Sequence, residues 1–315
     1  MTRAPVSVVV LGSANLDHVY SVDRIPLPGQ TVLASRYRVA LGGKGQNQAV
    51  AAARAGADTA FLACLGDDEG AERILSTLRE CSIEIVGVRR IPGPTGTAII
   101  TVETSGENSI VVLPGANAAM VRLTEQDAAA ITASAVLVMQ LETPLPIVIE
   151  AATLARAAGT IVILNASPVI ELAPEVLAEI DVLMVNEGEA QLLAGDGPTG
   201  LDAVAVRLLR VVPTLVMTLG GRGARLYRRD SMPLHVPAPV ARVVDTTGAG
   251  DTFCGAFAAA IAEGTGWKMA MRFAVAAASI TVERHGAVPA IPSRSEIDAR
   301  LARVEVPRPL DPHTP

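Results

Sequence analysis

The sequence predicts an α/β protein in which a large, mainly parallel, doubly wound sheet carries a second, smaller sheet. Three observations predict it. After residue 123, short Val/Ile/Leu-rich runs alternate with helical stretches, the rhythm of parallel strands covered by helices on both faces. Residues 17–39 and 95–113 instead alternate apolar and polar positions, the period of strands with one solvated face. Half of the 315 residues are hydrophobic but only 3% are aromatic, so the core must be large and aliphatic.

Residues 6–11 form a β-branched run that reads as the first buried strand. Residues 18–22 and 31–39 read as exposed antiparallel strands around the turn at Pro26, Pro28 and Gly29. The glycine-rich segment 42–47 follows, with an Ala-rich helix expected over 48–55. A strand over 61–65 and a helix over 70–80 come next. Residues 95–104 and 108–113 read as a hairpin turning at Ser105-Gly106-Glu107, placed to join the first exposed segment in one small sheet. Strands are expected over 135–140, 161–165, 182–186 and 215–219, a late hairpin over 223–228 and 234–236, and helices over 250–263 and 267–284. The domain reading is one α/β unit over 1–306, with insertions at about 15–40 and 95–113 and a disordered proline-rich tail over 307–315.

Charge and composition exclude several classes. A net charge of −6 argues against nucleic-acid binding. The three cysteines, Cys64, Cys81 and Cys254, have no zinc or CxxC spacing and read as reduced core thiols of a cytoplasmic protein. The apolar start is a strand and not a signal peptide, and no run reaches the length that spans a bilayer. The four histidines lack i, i+4 pairing, and no GxSxG elbow occurs. Lys44 and Lys268 are the only lysines, and Lys44 lies in the glycine-rich segment.

The strongest local signal is Asp245-Thr246-Thr247-Gly248-Ala249-Gly250-Asp251, running directly into an apolar helix. Glycines let backbone N–H groups approach an anion, and a helix start supplies unpaired donors and partial positive charge. Gly248, Ala249 and Gly250 therefore suit an anion site. A carboxylate at Asp251 would repel that anion unless it had another task, such as taking a proton from an attacking hydroxyl. The plainer reading is a capping Asp after a flexible turn. Gly42-Gly43-Lys44-Gly45-Gln46-Asn47 fits neither the Walker A nor the GxGxxG spacing; Lys44 and Asn47 there could donate to sugar hydroxyls or phosphate, or merely punctuate a turn.

Asn15 and Asp17 follow the first strand on one side of an extended chain, a pairing suited to vicinal hydroxyls or to a turn cluster. Ligands of open α/β sheets bind beyond the carboxyl ends of strands. Glu142, Asn186, Glu189 and the run Thr218-Leu219-Gly220-Gly221-Arg222-Gly223 occupy such ends. Asp67, Asp68 and Glu69 read as the acidic start of a helix and not as a metal site.

These residues resemble the two signatures of the ribokinase-like (pfkB) carbohydrate kinase family, GGKGQN near the amino end and DTTGAGD near the carboxyl end. GSANLDH, QNQAVAAARAGA, GENSIVVLPGANA, MQLETP, NEGEA and TLGGRGA extend the resemblance over about residues 6–292. It implies a Rossmann-like α/β fold with a β-sheet lid, a homodimer formed through that lid, and phosphoryl transfer from ATP to O5 of ribose. The acceptor's relatives, 2-deoxyribose, another sugar or a nucleoside, remain alternatives, as does a catalytically silent sugar- or nucleotide-binding regulator.

Carried over residue by residue, the resemblance makes Asp251 the base and Gly248, Ala249 and Gly250 the anion hole. Asn15, Asp17, Gly43, Lys44, Asn47 and Glu142 would bind the sugar. Asn186 and Glu189 would serve ATP and the waters of Mg²⁺, and Thr218, Gly220 and Gly223 would border the nucleotide with Gly250. A K⁺ activator would lie by Asp245 and Thr247, with carbonyls of Thr281, Arg284 and Gly286 and a contact near Ala290. The chain departs from the family pattern at Val275, near the expected adenine, at Ala290, often a serine, and at Gln46, a small-residue position. A dehydrogenase is excluded because GSANLD, and not a GxGxxG turn, follows the first strand.

Overall fold

A computed structural model of the protein describes residues 7–105, 107–197, 199–229 and 231–306, and the backbone of 308–309. The chain runs through β1 (Val8–Leu11), β2 (Asn15–Val22), β3 (Arg36–Gly42), α1 (Lys44–Arg54), β4 (Thr59–Leu65), α2 (Glu69–Glu80), β5 (Val88–Arg90), β6 (Gly96–Glu103) and β7 (Asn108–Leu113). Then follow α3 (Glu125–Ala133), β8 (Val136–Met139), α4 (Leu145–Ala158), β9 (Ile161–Asn165), α5 (Pro174–Leu177), β10 (Val182–Asn186), α6 (Glu187–Ala194), α7 (Leu201–Leu208) and β11 (Thr214–Thr218). The last elements are β12 (Ala224–Arg228), β13 (Ser231–Val236), α8 (Ala249–Ala262), α9 (Trp267–Thr281), α10 (Arg294–Leu301) and β14 (Arg308–Pro309).

Ten strands form the large sheet in the order β14-β13-β12-β11-β10-β9-β8-β1-β4-β5. Pairing is parallel from β11 to β5, and antiparallel where β12, β13 and β14 extend the other edge. The period-2 geometry of a strand explains the two cores. In β1, Val8 and Val10 enter one cluster with α1, α2, α8 and α9, while Val9 and Leu11 enter the other with α4, α6 and α7. All four are fully buried, which is why the strand reads as a continuous apolar run. Helix α2 starts as its acidic segment predicts: Asp68 caps it by accepting from the Ala71 amide.

The segments read as insertions form one four-stranded sheet, in the order β3-β2-β6-β7. β2 pairs antiparallel with β3 but parallel with β6, so the small sheet is mixed and not wholly antiparallel. β3 starts at Arg36, so residues 31–35, expected within the strand, lie outside it. Gly106 of the hairpin turn lies outside the described residues, as does most of 307–315; within that tail, 308–309 pairs with β13. Among the described residues no helix is long and apolar enough to cross a membrane.

The chain leaves β1 toward β4 on one side, and β8 returns to pair with β1 on the other. The sheet order therefore reverses beside β1. Such a switch opens a crevice beyond the strands' carboxyl ends, and the signature residues converge there.

Candidate active site

β1 ends at Leu11, and β2 begins with Asn15 and carries Asp17. β3 ends at Gly42 and α1 begins at Lys44. GGKGQN is thus a strand end plus the first helical turn, and not a loop before a helix starting at residue 48. Gly43 makes the join at φ +87°, and a Cβ there would lie 2.7 Å from Ala14 Cα and 2.8 Å from Asn15 N. The two chain segments pass backbone against backbone, which seats Lys44 and Asn47 over the end of β1. Gly43→Ala combines left-handed strain with a clash against backbone that cannot yield. It is expected to destabilise by about 2 kcal/mol or more, as thermal melts would show.

Glu142, three residues past β8, ties these segments together. Its Oε2 accepts from Ser13 Oγ and, at 3.0 Å, from the Lys44 amide. Asn15 is 3% exposed, and its Oδ1 accepts from Asn117 Nδ2 at 2.8 Å. Burial lifts the Asp17 carboxyl to about 6, helped by the negative charges of Glu142 and Asp251 and opposed by Arg38. Burial pulls the Lys44 ammonium down, but Asp251, Glu142 and Glu189 outweigh it and hold it above its ordinary value. One lysine therefore sits in the field of carboxylates from both halves of the site.

Asp251 lies in the first turn of α8 and is 8% exposed. Its Oδ2 accepts from Asn47 Nδ2 and its Oδ1 from Gln48 Nε2, both at 2.9 Å. The Oδ1 of Asn47 is buried without a protein partner. α8 begins after Gly248, at φ +73°, and no side chain caps its first turn; the Ala249 amide donates to the Thr246 carbonyl at 3.2 Å, which leaves the Gly250 and Asp251 amides for an anion. Gly248, Gly250 and Asp251 line a cleft of about 150 Å³. Lys44 lines it too, as do Asn186, Glu189 and Thr218. Ala249 is the first residue of the helix.

Asn186 and Glu189 also form a reciprocal capping box that starts α6: Asn186 Oδ1 accepts from the Glu189 amide at 2.9 Å, and Glu189 Oε2 from the Asn186 amide at 2.8 Å. Helix capping and a place in the cleft coexist in the same pair. Gly220 and Gly223 shape the β11–β12 turn and do not line the cleft; a Cβ on Gly223 would meet the Val236 carbonyl oxygen at 2.0 Å. Val275 is 4% exposed and packed in the core. Gln46 is fully buried, and neither atom of its amide finds a protein partner.

Asp245 joins two loops. Its Oδ1 accepts from the Thr247 amide and its Oδ2 from the Gly286 amide, both at 2.9 Å. Burial works against the Asp245 carboxylate, but hydrogen bonds from Thr247 and Gly286 and the charge of Arg38 hold its pKa below the usual range. The Thr281 hydroxyl points inward to Thr252 at 3.1 Å, and its carbonyl accepts from the Arg284 amide. The Arg284 side chain pairs with Glu296, and Ala290 is fully buried. Among the described residues no cluster of three or more His, Cys, Asp or Glu could hold a metal.

Sequence reasoning missed Ser13, Arg38, Gln48, Asn117, Gln140, Asn165 and Ser167. Asn165 and Ser167 line the cleft, and Arg38 hangs from β3 within the field of both Asp17 and Asp245. A polar residue at the end of an otherwise apolar strand, as at Gln140 and Asn165, was the available signal.

Residues 6–294 match the model of the pfkB family carbohydrate kinases. The chain is 39% identical to a ribokinase of Haemophilus influenzae over 296 residues, covering 92% of this chain and 96% of the relative. It is 39% identical to a ribokinase of Schizosaccharomyces pombe over 311 residues, 93% of this chain and 97% of the relative. The structure of Arabidopsis thaliana ribokinase complexed with ribose and ATP superposes with a TM-score of 0.89 at 33% identity, covering 95% of this chain and 99% of that one. Sequence, fold and the convergence of both signatures at one crevice agree over nearly the whole length, and the chain belongs to the pfkB family of carbohydrate kinases.

Proposed function

We propose that the protein is an ATP-dependent sugar kinase that phosphorylates D-ribose at O5 to give ribose 5-phosphate. One observation carries the reading. A buried carboxylate, Asp251, sits in the uncapped first turn of α8, between the cleft lined by Asn186 and Glu189 and the sugar-side residues Asn47, Glu142 and Asp17. Phosphoryl transfer relies on positioning and on stabilising charge more than on covalent chemistry. Asp251 accepts the O5 proton as that oxygen attacks the γ-phosphorus. The Gly250 and Asp251 amides, with Lys44, stabilise the charge that develops on the transferring group. Asn47 Oδ1, a buried acceptor lacking a protein partner, is placed to take a hydrogen bond from a sugar hydroxyl, and Asp17 to take two from vicinal hydroxyls.

Glu189, on the acidic side of the cleft, would hold a Mg²⁺ entering with ATP, which would supply charge neutralisation there. A monovalent cation, K⁺, fits beside Asp245 and Thr247 with the carbonyls of Thr281, Arg284 and Gly286, where it would steady the loop leading to Gly248. The small sheet acts as the lid that keeps water from the transferring phosphoryl group. Its hairpin exposes Ile99, Ile110, Val111, Val112 and Leu113, each 47–65% exposed, a patch suited to a second copy of the chain. The reading is therefore of a cytoplasmic homodimer joined through its lids.

ADP release from MgATP tests this, with ribose, 2-deoxyribose, fructose, adenosine and uridine, each with and without K⁺. Ribose-dependent turnover stimulated by K⁺ is expected. Turnover with a nucleoside alone would overturn the acceptor, and no turnover with any of them would overturn ribose and bring a silent regulator or an untested acceptor forward.

A further inference from the structure

The catalytic carboxylate is held by a chain of buried amides whose polarity can be read along its length. Gln48 is fully buried, and its Nε2 donates both to Asp251 Oδ1, at 2.9 Å, and to Asn165 Oδ1, at 3.0 Å. Asn165 is itself oriented, because its Nδ2 donates to the Met184 carbonyl at 3.2 Å. That leaves the Gln48 oxygen facing Gln140, which is also fully buried and donates to it from Nε2 at 2.7 Å. An ionised carboxylate can only accept. The order Gln140 to Gln48 to Asp251 therefore works in one direction only. Room for the first link comes from Gly12, where a Cβ would lie 1.9 Å from Gln140 Oε1.

Neither glutamine lines the cleft that Asp251 faces. We propose that Gln48, with its amide set by Gln140, is the positioning residue for Asp251, fixing the carboxylate's rotamer and leaving one lone pair aimed at the acceptor hydroxyl. The inference rests on the reading of Asp251 as the base. Asn47 alone would tether one oxygen and leave the carboxylate free to swing about that contact. The second tether, from the next residue of the same helix turn onto the other oxygen, stops the swing. A misplacement of about 1 Å at a reacting group can cost on the order of 10²-fold in rate.

The experiment is a cycle of Gln48→Met, Asp251→Asn and the double variant, read as kcat and as KM for ribose and MgATP, with thermal melts beside them. Gln48→Met keeps the volume and removes the donor. It is expected to lower kcat by roughly 10–10²-fold, to leave both KM values within about twofold, and to add nothing in the Asp251→Asn background, since groups acting as a unit are non-additive. Gln140→Met tests the polarity without touching either member of the pair. A thioether there cannot donate, so nothing holds the Gln48 oxygen away from Asp251, and kcat should fall with KM again held. Wild-type kcat in both folded variants would overturn the proposal. So would an equal loss from Gln48→Met with and without the Asp251 carboxylate, the behaviour of a purely structural residue. Failure of the underlying reading looks different, because Asp251→Asn would itself turn over normally. If Gln48→Met does not fold, Gln140→Met decides alone.

Discussion

Asp251→Asn is expected to lower kcat by roughly 10²–10⁴-fold while leaving MgATP binding as tight or tighter. The two effects have one cause. Asp251 lies in the first turn of α8, beside amides open to the phosphoryl group, and a negative charge there repels the anion it faces. The carboxylate is worth that repulsion only for the proton it accepts when O5 attacks. An asparagine keeps the shape, removes the repulsion and cannot take the proton. Folding should change little, for opposing reasons. The asparagine must turn its NH₂ toward either Asn47 Nδ2 or Gln48 Nε2, both of which donate to the present carboxylate, at a cost of about 1–3 kcal/mol. Relief comes from removing a charge that Asp17 feels. Single-turnover kinetics and calorimetry of MgATP binding separate the terms. Retained turnover would remove Asp251 from the base role; lost turnover with lost MgATP binding would point to a damaged cleft.

The strands of the large sheet were legible because burial on both faces writes a continuous aliphatic run. The stretches 161–165 and 182–186 coincide with β9 and β10. The start of α1 was not legible. Its first turn, Lys44-Gly45-Gln46-Asn47, contains a glycine, whose weak helix propensity imitates a loop; only Gly43, held at φ +87° against Ala14, makes residue 44 a helix start. The site's chemistry followed the same division. Asp251, Lys44 and Glu142 stand beside glycines or at strand ends, where a single sequence shows them. Gln48, which holds Asp251, is oriented by Gln140, 92 residues away in sequence, and only the return of β8 to the side of β1 brings the two together. The Asp17 environment was hidden for the same reason, since it depends on burial and on charges contributed by the segment after β8, by α8 and by β3.

That environment sets a conflict between binding and stability at Asp17. Its carboxyl is lifted from an ordinary 3.8 to about 6 by burial and by the charges of Glu142 and Asp251. A raised carboxyl pKa means that the folded protein holds the proton more tightly than the unfolded chain. The stabilisation from that proton is complete below about pH 4 and is lost as pH rises through 6. At pH 7.5 the folded protein therefore carries an ionised Asp17 at a net cost, about 1–3 kcal/mol from the size of the shift. Asp17→Asn should raise Tm at pH 7.5 by several degrees, and this advantage should shrink as pH falls through 6 and vanish near 4. The same substitution removes a charged acceptor from the sugar hydroxyls, and hydrogen bonds to charged groups contribute about 1.5–3 kcal/mol. The ribose KM should then rise roughly 10–10²-fold at pH 7.5, while in the wild type it should climb as pH drops below 6. Melts and ribose KM measured from pH 4 to 8 on both proteins test the two halves together. A variant that is less stable at pH 7.5 would show that the Asp17 charge is compensated in the folded protein, and an unchanged ribose KM would take Asp17 out of the sugar site. A gain in Tm with a loss in ribose affinity is the outcome expected of a carboxylate kept ionised, against its surroundings, for the ligand it binds.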